Sequence, residues 1–119
     1  MQYIGVDIIE ISRIVDSVSS LGDAFLERIY TPKEIEAYRD KIPSLAARFA
    51  AKEAAIKALG AAGLSLREIE VLSAFDGKPV ITLHGKAWQR AEELNIAGLE
   101  ISLSHSKEYA VAFVVGMSK

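Results

Sequence analysis

An alanine-rich segment at residues 45–59 constrains the fold of this chain more than any other feature, because it predicts one long helix. Pro43 marks its start and Gly60 its end. On a helical wheel of about 100° per residue, one stripe carries the large apolar side chains Leu45, Phe49, Ile56 and Leu59. A second face, roughly opposite, carries Ala47, Ala50, Ala51, Ala54 and Ala58. A helix that is apolar on both sides is buried on both sides, so the rest of the chain must pack around it.

Four charged residues interrupt this apolar helix. Glu53 and Lys57 share one flank between the two faces, whereas Arg48 and Lys52 lie near the other edge of the large stripe. A plain interpretation makes Glu53 and Lys57 an ion pair on a solvated strip, with the heads of Arg48 and Lys52 in water. The alternative is a functional site, since a carboxylate on a mostly buried helix is costly unless something pairs with it.

A second unexpected carboxylate, Asp7, interrupts a strand predicted over residues 3–9. Strand alternation places four residues on one side, namely Tyr3, Gly5, Asp7 and Ile9. The other side carries Ile4, Val6 and Ile8. The plain interpretation of Asp7 is an edge-strand residue or a carboxylate satisfied by a turn, because charged groups are seldom buried unpaired.

If Asp7 and Glu53 face one cleft, a shared cation is the economical explanation. Two carboxylates with open coordination positions suit Mg²⁺, which keeps waters and takes phosphate oxygens as its other ligands. Arg48, Lys52 and Lys57 would then supply positive charge for a polyphosphate. This combination points to phosphoryl-type transfer, although helical periodicity alone does not establish it.

The remaining elements predict an α+β fold in one domain over residues 1–119. Helices are predicted at 11–21, 24–29, 31–38 and 87–94, and a capping box at Thr31-Pro32-Lys33-Glu34 marks the start of the third. Further strands are predicted at 68–73, 80–83, 100–104 and 109–115. Helices precede most of the antiparallel hairpins, which favours α+β over a doubly wound sheet.

Composition narrows the function. The net charge of −2 provides no basic footprint for nucleic acid or for an anionic membrane. The absence of cysteine removes disulfides, thiolate metal sites and a cysteine nucleophile. No signal-peptide pattern opens the chain and no apolar run approaches about 20 residues, so the cytoplasm is the expected compartment. His105 lies between two serines and is expected in a surface loop.

Five motifs in order resemble one family, the holo-acyl-carrier-protein synthases of the phosphopantetheinyl transferase superfamily. They are Gly5-Val6-Asp7-Ile8, Arg28-Ile29-Tyr30-Thr31-Pro32-Lys33-Glu34, Arg48-Phe49-Ala50-Ala51-Lys52-Glu53-Ala54, Gly77-Lys78-Pro79 and Ser102-Leu103-Ser104-His105-Ser106. The resemblance spans essentially the whole chain. It implies transfer of the phosphopantetheine arm of coenzyme A to a serine of acyl carrier protein, with release of adenosine 3',5'-bisphosphate, in fatty acid biosynthesis.

The resemblance also implies an architecture and site roles. The expected fold packs the long helix on an antiparallel sheet, in a homotrimer with sites at subunit interfaces. Asp7 and Glu53 would bind Mg²⁺, and Glu53 would also draw the proton from the attacking serine. Lys57 would neutralise charge on the pyrophosphate of coenzyme A. Asp7, Glu53 and Lys57 together would form the catalytic residues. The matching positions that line the coenzyme A pocket are Arg48, Pro79 and His105.

The carrier-protein surface departs from the family pattern. Relatives often carry several basic residues on the first helix, which here has Arg13 as its only cation. Docking of an acidic carrier is therefore expected to rely on Arg28, Lys33 and apolar contacts such as Ile14. Two other functions stay open: a binding module without turnover, and a broader transferase for polyketide or peptide carriers. The second is usually a pseudo-repeat about twice this length, and no internal duplication is visible.

Overall fold

One long helix lies across a three-stranded antiparallel sheet at the centre of the molecule. The structure is a computed structural model that describes residues 1–119. In chain order the elements are β1 (Gln2–Glu10), α1 (Ile11–Leu21), α2 (Asp23–Ile29), α3 (Pro32–Tyr38), α4 (Ile42–Leu59), a 3-10 turn (Leu66–Glu68), β2 (Ile69–Ser73), β3 (Pro79–Leu83), α5 (Gly85–Glu93), β4 (Ile96–His105) and β5 (Tyr109–Ser118). The predicted α+β class with antiparallel sheets is confirmed. None of the helices combines the length and the apolar character that a membrane-spanning segment needs.

Helix α4 is buried on most of its circumference, as its two apolar faces predicted. Its alanines and leucines contribute much of a single cluster of 23 buried residues. The helix begins at Ile42, earlier than predicted, with Pro43 in its first turn, where a missing N–H costs nothing. It ends at Gly60, which adopts the left-handed conformation that glycine tolerates best.

The sheet has the order β1-β5-β4, with both pairings antiparallel. The register places Tyr3, Gly5, Asp7 and Ile9 on the face that α4 covers, as strand alternation predicted. The opposite face is apolar and exposed over two strands, where it carries Ile4, Val6, Ile8, Phe113 and Met117. Strands β4 and β5 both extend beyond their predicted ends.

Gly5 is the point at which β1 crosses α4. A Cβ atom on this residue would lie 1.8 Å from the carbonyl oxygen of Ala54 and 3.0 Å from the backbone nitrogen of Ala58. No side chain fits there, so the strand and the helix touch backbone to backbone. This contact sets how β1 runs along the helix and therefore where Asp7, two residues further on, points.

The β2–β3 hairpin forms a separate two-stranded sheet, which side chains of α4 hold in place. Arg48 donates through Nε to the Val71 carbonyl oxygen at 3.0 Å. Lys52 donates through Nζ to the Ile69 carbonyl oxygen at 2.5 Å and to Glu34 Oε1 at 2.7 Å. Both cations are buried, and Lys52 is 0% exposed. The interpretation that placed their heads in water is wrong, because the hairpin and α3 supply enough oxygen acceptors to replace it.

The buried carboxylate of Glu34 ties α3 to the same network. It accepts from the backbone N–H of Thr31, which completes the capping box predicted at the start of α3. Its other oxygen accepts from the N–H of Val71 at 2.7 Å. One carboxylate therefore joins α3, α4 and β2, and no buried side-chain polar atom in the structure lacks a partner.

The crossing at Gly5 predicts a large effect of a single methyl group. Gly5→Ala forces β1 away from the Ala54 carbonyl group, and we expect it to lower the free energy of unfolding by about 3 kcal/mol or more. The matched control is Gly98→Ala on β4, where a Cβ meets nothing within 4 Å, and a change of about 0.5 kcal/mol or less is expected. Urea unfolding at one fixed protein concentration measures both. Equal effects of the two substitutions would contradict the proposed crossing.

Candidate functional site

Asp7, Glu53 and Lys57 meet where β1 passes over α4. Lys57 donates through Nζ to Asp7 Oδ1 at 3.0 Å and to the Val6 carbonyl oxygen at 3.1 Å. The ion pair is therefore between Lys57 and Asp7, and the alternative pairing of Lys57 with Glu53 is not formed. Glu53 is left with its carboxylate beside the pair and free to take another ligand.

The two carboxylates line one groove of about 360 Å³, which we call the carboxylate groove. The other lining residues come mainly from β1, α1 and α4: they are Ile8, Ile9, Arg13, Ile14, Ser17, Phe25 and Phe49. Arg13 is the one basic residue that lines the carboxylate groove. Apolar walls of this kind strengthen charge interactions at the two carboxylates, because they displace water.

Glu53 has a perturbed acidity. Burial raises the pKa of its carboxyl group, the neighbouring Asp7 carboxylate raises it further, and Lys57 opposes both. The ionised form of Glu53 is thus disfavoured by its own surroundings. Two carboxylates held together at a cost are a typical arrangement for a group that gains a cation or a proton during function.

The donor set suits a hard divalent cation with open coordination positions. Asp7 and Glu53 offer oxygen ligands only, and no third His, Cys, Asp or Glu joins them to close the shell. Mg²⁺ is commonly bound by one or two carboxylates, with waters and substrate phosphates as its remaining ligands. The residues present therefore fit Mg²⁺ better than a structural zinc site, which takes four protein ligands.

A second cavity, of about 460 Å³, lies between the β2–β3 hairpin, β4 and the start of α4, and we call it the hairpin cavity. It brings together Arg48, Pro79 and His105, the three residues that the resemblance placed in a coenzyme A pocket. The rest of its lining consists of Ser44, Ala47, Ser73, Gly77, Lys78, Ile101, Ser102 and Leu103. Six of these eleven residues carry a hydroxyl, guanidinium, ammonium or imidazole group, which suits a polar, anionic ligand.

The two cavities lie on different faces of α4. Arg48 lines the hairpin cavity and Glu53 lines the carboxylate groove, five positions further along the helix. Five positions correspond to a rotation of about 140° around the helix axis. The predicted site residues therefore form two separate groups within one chain: the first comprises Asp7, Glu53 and Lys57, and the second comprises Arg48, Pro79 and His105.

Several expectations about single residues need correction. Lys52 does not supply charge to a polyphosphate, because its ammonium group is buried and donates to Glu34 and to the carbonyl oxygens of Leu66 and Ile69. Ile14 is only 2% exposed, so it offers little surface to a partner protein. Arg13 is exposed, as an electrostatic contact with a carrier requires.

Lys78 and Ser102 belong to the hairpin cavity although sequence reasoning assigned them no role. Both lie inside quoted motifs, at Gly77-Lys78-Pro79 and at the start of Ser102-Leu103-Ser104. The signal was therefore present. The pairing of β4 with β5 decides which β4 residues, such as Ser102, face the hairpin cavity, and the serine motif alone does not give that register.

Comparison with known proteins places this arrangement in a family. The model of the 4'-phosphopantetheinyl transferase superfamily matches residues 3–114. The chain therefore belongs to the 4'-phosphopantetheinyl transferase superfamily, as the resemblance implied. The match includes both residue groups, the whole of β2, β3 and β4, and most of β1 and β5.

Individual relatives are named more specifically. A holo-[acyl-carrier-protein] synthase of Dehalococcoides mccartyi is 51% identical over 97% of this chain and 98% of its own length. One from Herpetosiphon aurantiacus is also 51% identical, over 98% of this chain and 99% of its own. The crystal structure of Helicobacter pylori holo-[acyl-carrier-protein] synthase in complex with coenzyme A is 38% identical, with a TM-score of 0.86 over 96% of this chain and 99% of that one.

The raised pKa of Glu53 gives a pH-dependent prediction for the metal-free protein. Because the pKa of Glu53 is raised in the folded protein, folded chains bind its proton more tightly than unfolded chains. The free energy of unfolding therefore falls as pH rises through the raised pKa. Below the unfolded-state pKa both states are protonated, and Glu53 does not lower the free energy of unfolding. We expect Glu53→Gln to be more stable than wild type at pH 7 in EDTA, with the difference shrinking in acid. Urea unfolding across a pH series measures this.

Glu36→Gln is the matched control, because Glu36 is exposed on α3 and lies outside the carboxylate groove. It should follow the wild-type stability at every pH. A Glu53→Gln protein that is less stable than wild type at neutral pH, without metal, would show that Glu53 stabilises the fold instead of serving the site.

Proposed function

We propose that this chain is a phosphopantetheinyl transferase of the holo-acyl-carrier-protein synthase type. It transfers the 4'-phosphopantetheine arm of coenzyme A to a serine of apo acyl carrier protein, in fatty acid biosynthesis. The single observation that carries this is full-length similarity to proteins named for that activity, including one in complex with coenzyme A. The meeting of Asp7, Glu53 and Lys57 supports it, because this chemistry needs charge stabilisation at phosphorus.

The reaction requires no nucleophile from the enzyme. The carrier serine hydroxyl oxygen forms a bond to the phosphorus that bears pantetheine, and the bond from that phosphorus to the oxygen of the adenylyl phosphate breaks. Adenosine 3',5'-bisphosphate leaves with the electron pair, and the serine proton passes to Glu53, directly or through a water. The position of Glu53 supports this role, because its carboxylate lines the carboxylate groove beside Asp7 and is not paired with Lys57.

We further propose that the enzyme depends on Mg²⁺ held by Asp7 and Glu53. When bound, the ion supplies positive charge to the pyrophosphate of coenzyme A. Lys57 lies against Asp7, so its ammonium group is positioned to contact the same pyrophosphate. Arg48, Pro79 and His105 are proposed to hold the nucleotide part of coenzyme A in the hairpin cavity.

We also propose that two chains meet to form each site, and the position of the two residue groups on different faces of α4 supports this. The exposed apolar face of the sheet supports such an assembly. Phe113 is 45% exposed and pairs across the strands with Val6, which is 49% exposed. Contiguous exposed apolar surface of this kind marks an interface. The number of chains, three in a homotrimer, rests on the family resemblance.

The carrier protein is proposed to dock beside the carboxylate groove, where its serine meets Glu53. Arg13 lines that groove and is exposed, so it is the leading electrostatic contact for an acidic carrier. Arg28 and Lys33 are also exposed and extend the basic surface. The cytoplasm is the proposed compartment, because the reaction uses coenzyme A and newly made carrier protein.

Incubation with apo acyl carrier protein, coenzyme A and Mg²⁺, followed by mass spectrometry of the carrier, tests this function. We expect the carrier to gain the mass of one phosphopantetheine, and EDTA to prevent the gain. Glu53→Gln should lower kcat by about 100-fold or more, because it removes both a metal ligand and the base. Glu36→Gln should leave kcat unchanged.

A carrier that gains no mass, while a known synthase modifies it in parallel, would favour a binding module over an enzyme. Full activity in EDTA would refute the Mg²⁺ dependence alone. Near-normal kcat of Glu53→Gln would refute the metal and base roles of this residue and leave the transferase activity standing.

Sites shared between chains predict complementation. Glu53→Gln chains keep an intact hairpin cavity, and His105→Ala chains keep an intact carboxylate groove. Coexpression of the two should therefore create some interfaces in which both groups are intact, with activity of about a quarter of wild type for random mixing. Activity no higher than that of the two separate variants would indicate that each site lies within one chain.

A further inference from the structure

The basic side chains of the hairpin cavity differ in what they already bind. Arg48 donates through Nε to the Val71 carbonyl oxygen at 3.0 Å, through Nη2 to Ser73 Oγ at 2.9 Å and through Nη1 to the Ser44 carbonyl oxygen at 3.4 Å. Its guanidinium group also lies 3.7 Å from the ring centroid of Tyr38. Each nitrogen of this guanidinium thus has a protein acceptor, and Arg48 is only 5% exposed. Its charge acts on the cavity, but few of its donors are left for a ligand.

Lys78 also carries a positive charge in the hairpin cavity, and its ammonium group makes far fewer contacts with the protein than the guanidinium group of Arg48. Its ammonium group meets only the Glu100 carboxylate, at 3.6 Å, and both side chains are mostly exposed. Exposed ion pairs contribute little free energy, so a ligand anion can replace Glu100 at small cost. The ammonium group of Lys78 is therefore more accessible to a ligand than the guanidinium group of Arg48, which keeps two of its five N–H donors.

The backbone of Lys78 is held by two hydrogen bonds, although its side chain is exposed. Its N–H donates to Asp76 Oδ1 at 3.0 Å, and its carbonyl oxygen accepts from the N–H of Ala74 at 2.7 Å. Gly77 supplies the left-handed conformation that this tight turn needs. The turn thus fixes the point from which the lysine side chain reaches over the cavity.

The charge of coenzyme A identifies the partner of Lys78, on the proposed function. Coenzyme A carries its negative charge on the pyrophosphate and on the 3'-phosphate of the ribose. If the pyrophosphate lies with Asp7, Glu53 and Lys57, the phosphate left for the hairpin cavity is the 3'-phosphate. We propose that Lys78 binds this 3'-phosphate, and that Glu100 competes for the same ammonium group and so sets how strongly the enzyme prefers coenzyme A over its 3'-dephospho form.

Steady-state kinetics with coenzyme A and with 3'-dephospho-coenzyme A tests the proposed roles of Lys78 and Glu100. Wild type should prefer coenzyme A in kcat/KM. Lys78→Ala should lower this preference by roughly three- to fivefold, through a higher KM for coenzyme A with kcat and the 3'-dephospho donor unaffected. Glu100→Gln should shift the preference in the opposite direction. Added salt should shrink both effects, because exposed charges are screened.

Lys86→Ala is the matched control, since Lys86 is an exposed lysine on α5 outside the cavity, and its preference should equal that of wild type. Equal losses with both donors in Lys78→Ala would overturn the 3'-phosphate contact. A wild type without preference would also overturn it. An unchanged or lowered preference in Glu100→Gln would overturn the competing role of Glu100. Failure of the proposed function is distinct, because then neither donor would modify the carrier.

Discussion

The backbone contact between Gly5 and Ala54 is the constraint on which the rest of the structure depends. Because no side chain fits between β1 and α4 at this point, the strand lies directly on the helix, and its next inward-facing residue, Asp7, is brought beside Glu53 and Lys57. Small residues continue the same close packing on β5, where Ala110 and Ala112 are fully buried. The fold thus brings two carboxylates together although burial, and then the neighbouring Asp7 carboxylate, raise the pKa of Glu53. That unfavourable arrangement is what makes the groove suitable for a divalent cation.

A second network determines the other half of the site. Arg48 and Lys52, on the edge of α4 away from Glu53, hold the β2–β3 hairpin by its carbonyl oxygens, and Glu34 joins α3 to the same hairpin. The hairpin then forms a wall of the hairpin cavity. Helix α4 therefore positions both residue groups, but it presents them in different directions. Within one chain the two residue groups stay apart, and on the proposed function the exposed apolar face of the sheet is the surface through which chains meet.

Much of this could be predicted from the sequence because local patterns determine it. The capping box at Thr31, the helix end at Gly60 and the alternation of residues 3–9 each depend on near neighbours, and each was predicted correctly. The contacts that the charged side chains make were predicted less well. Lys52 follows the same helical periodicity as a solvent-facing lysine, and only the positions of Glu34 and Ile69, far away in sequence, make it a buried tether. Lys57 likewise pairs with Asp7 because of the strand crossing, and no spacing rule within the helix predicts that choice.

On the proposed function, the strand crossing builds one cation site from Asp7 and Glu53, and the hairpin cavity of a second chain completes it. Anomalous diffraction from crystals grown with coenzyme A and Mn²⁺ in place of Mg²⁺ tests this arrangement. We expect one strong Mn²⁺ peak in contact with both carboxylates, with the pyrophosphate beside it and the nucleotide in a neighbouring chain's hairpin cavity. A peak away from Asp7 and Glu53, or a coenzyme A molecule bound entirely within one chain, would contradict it.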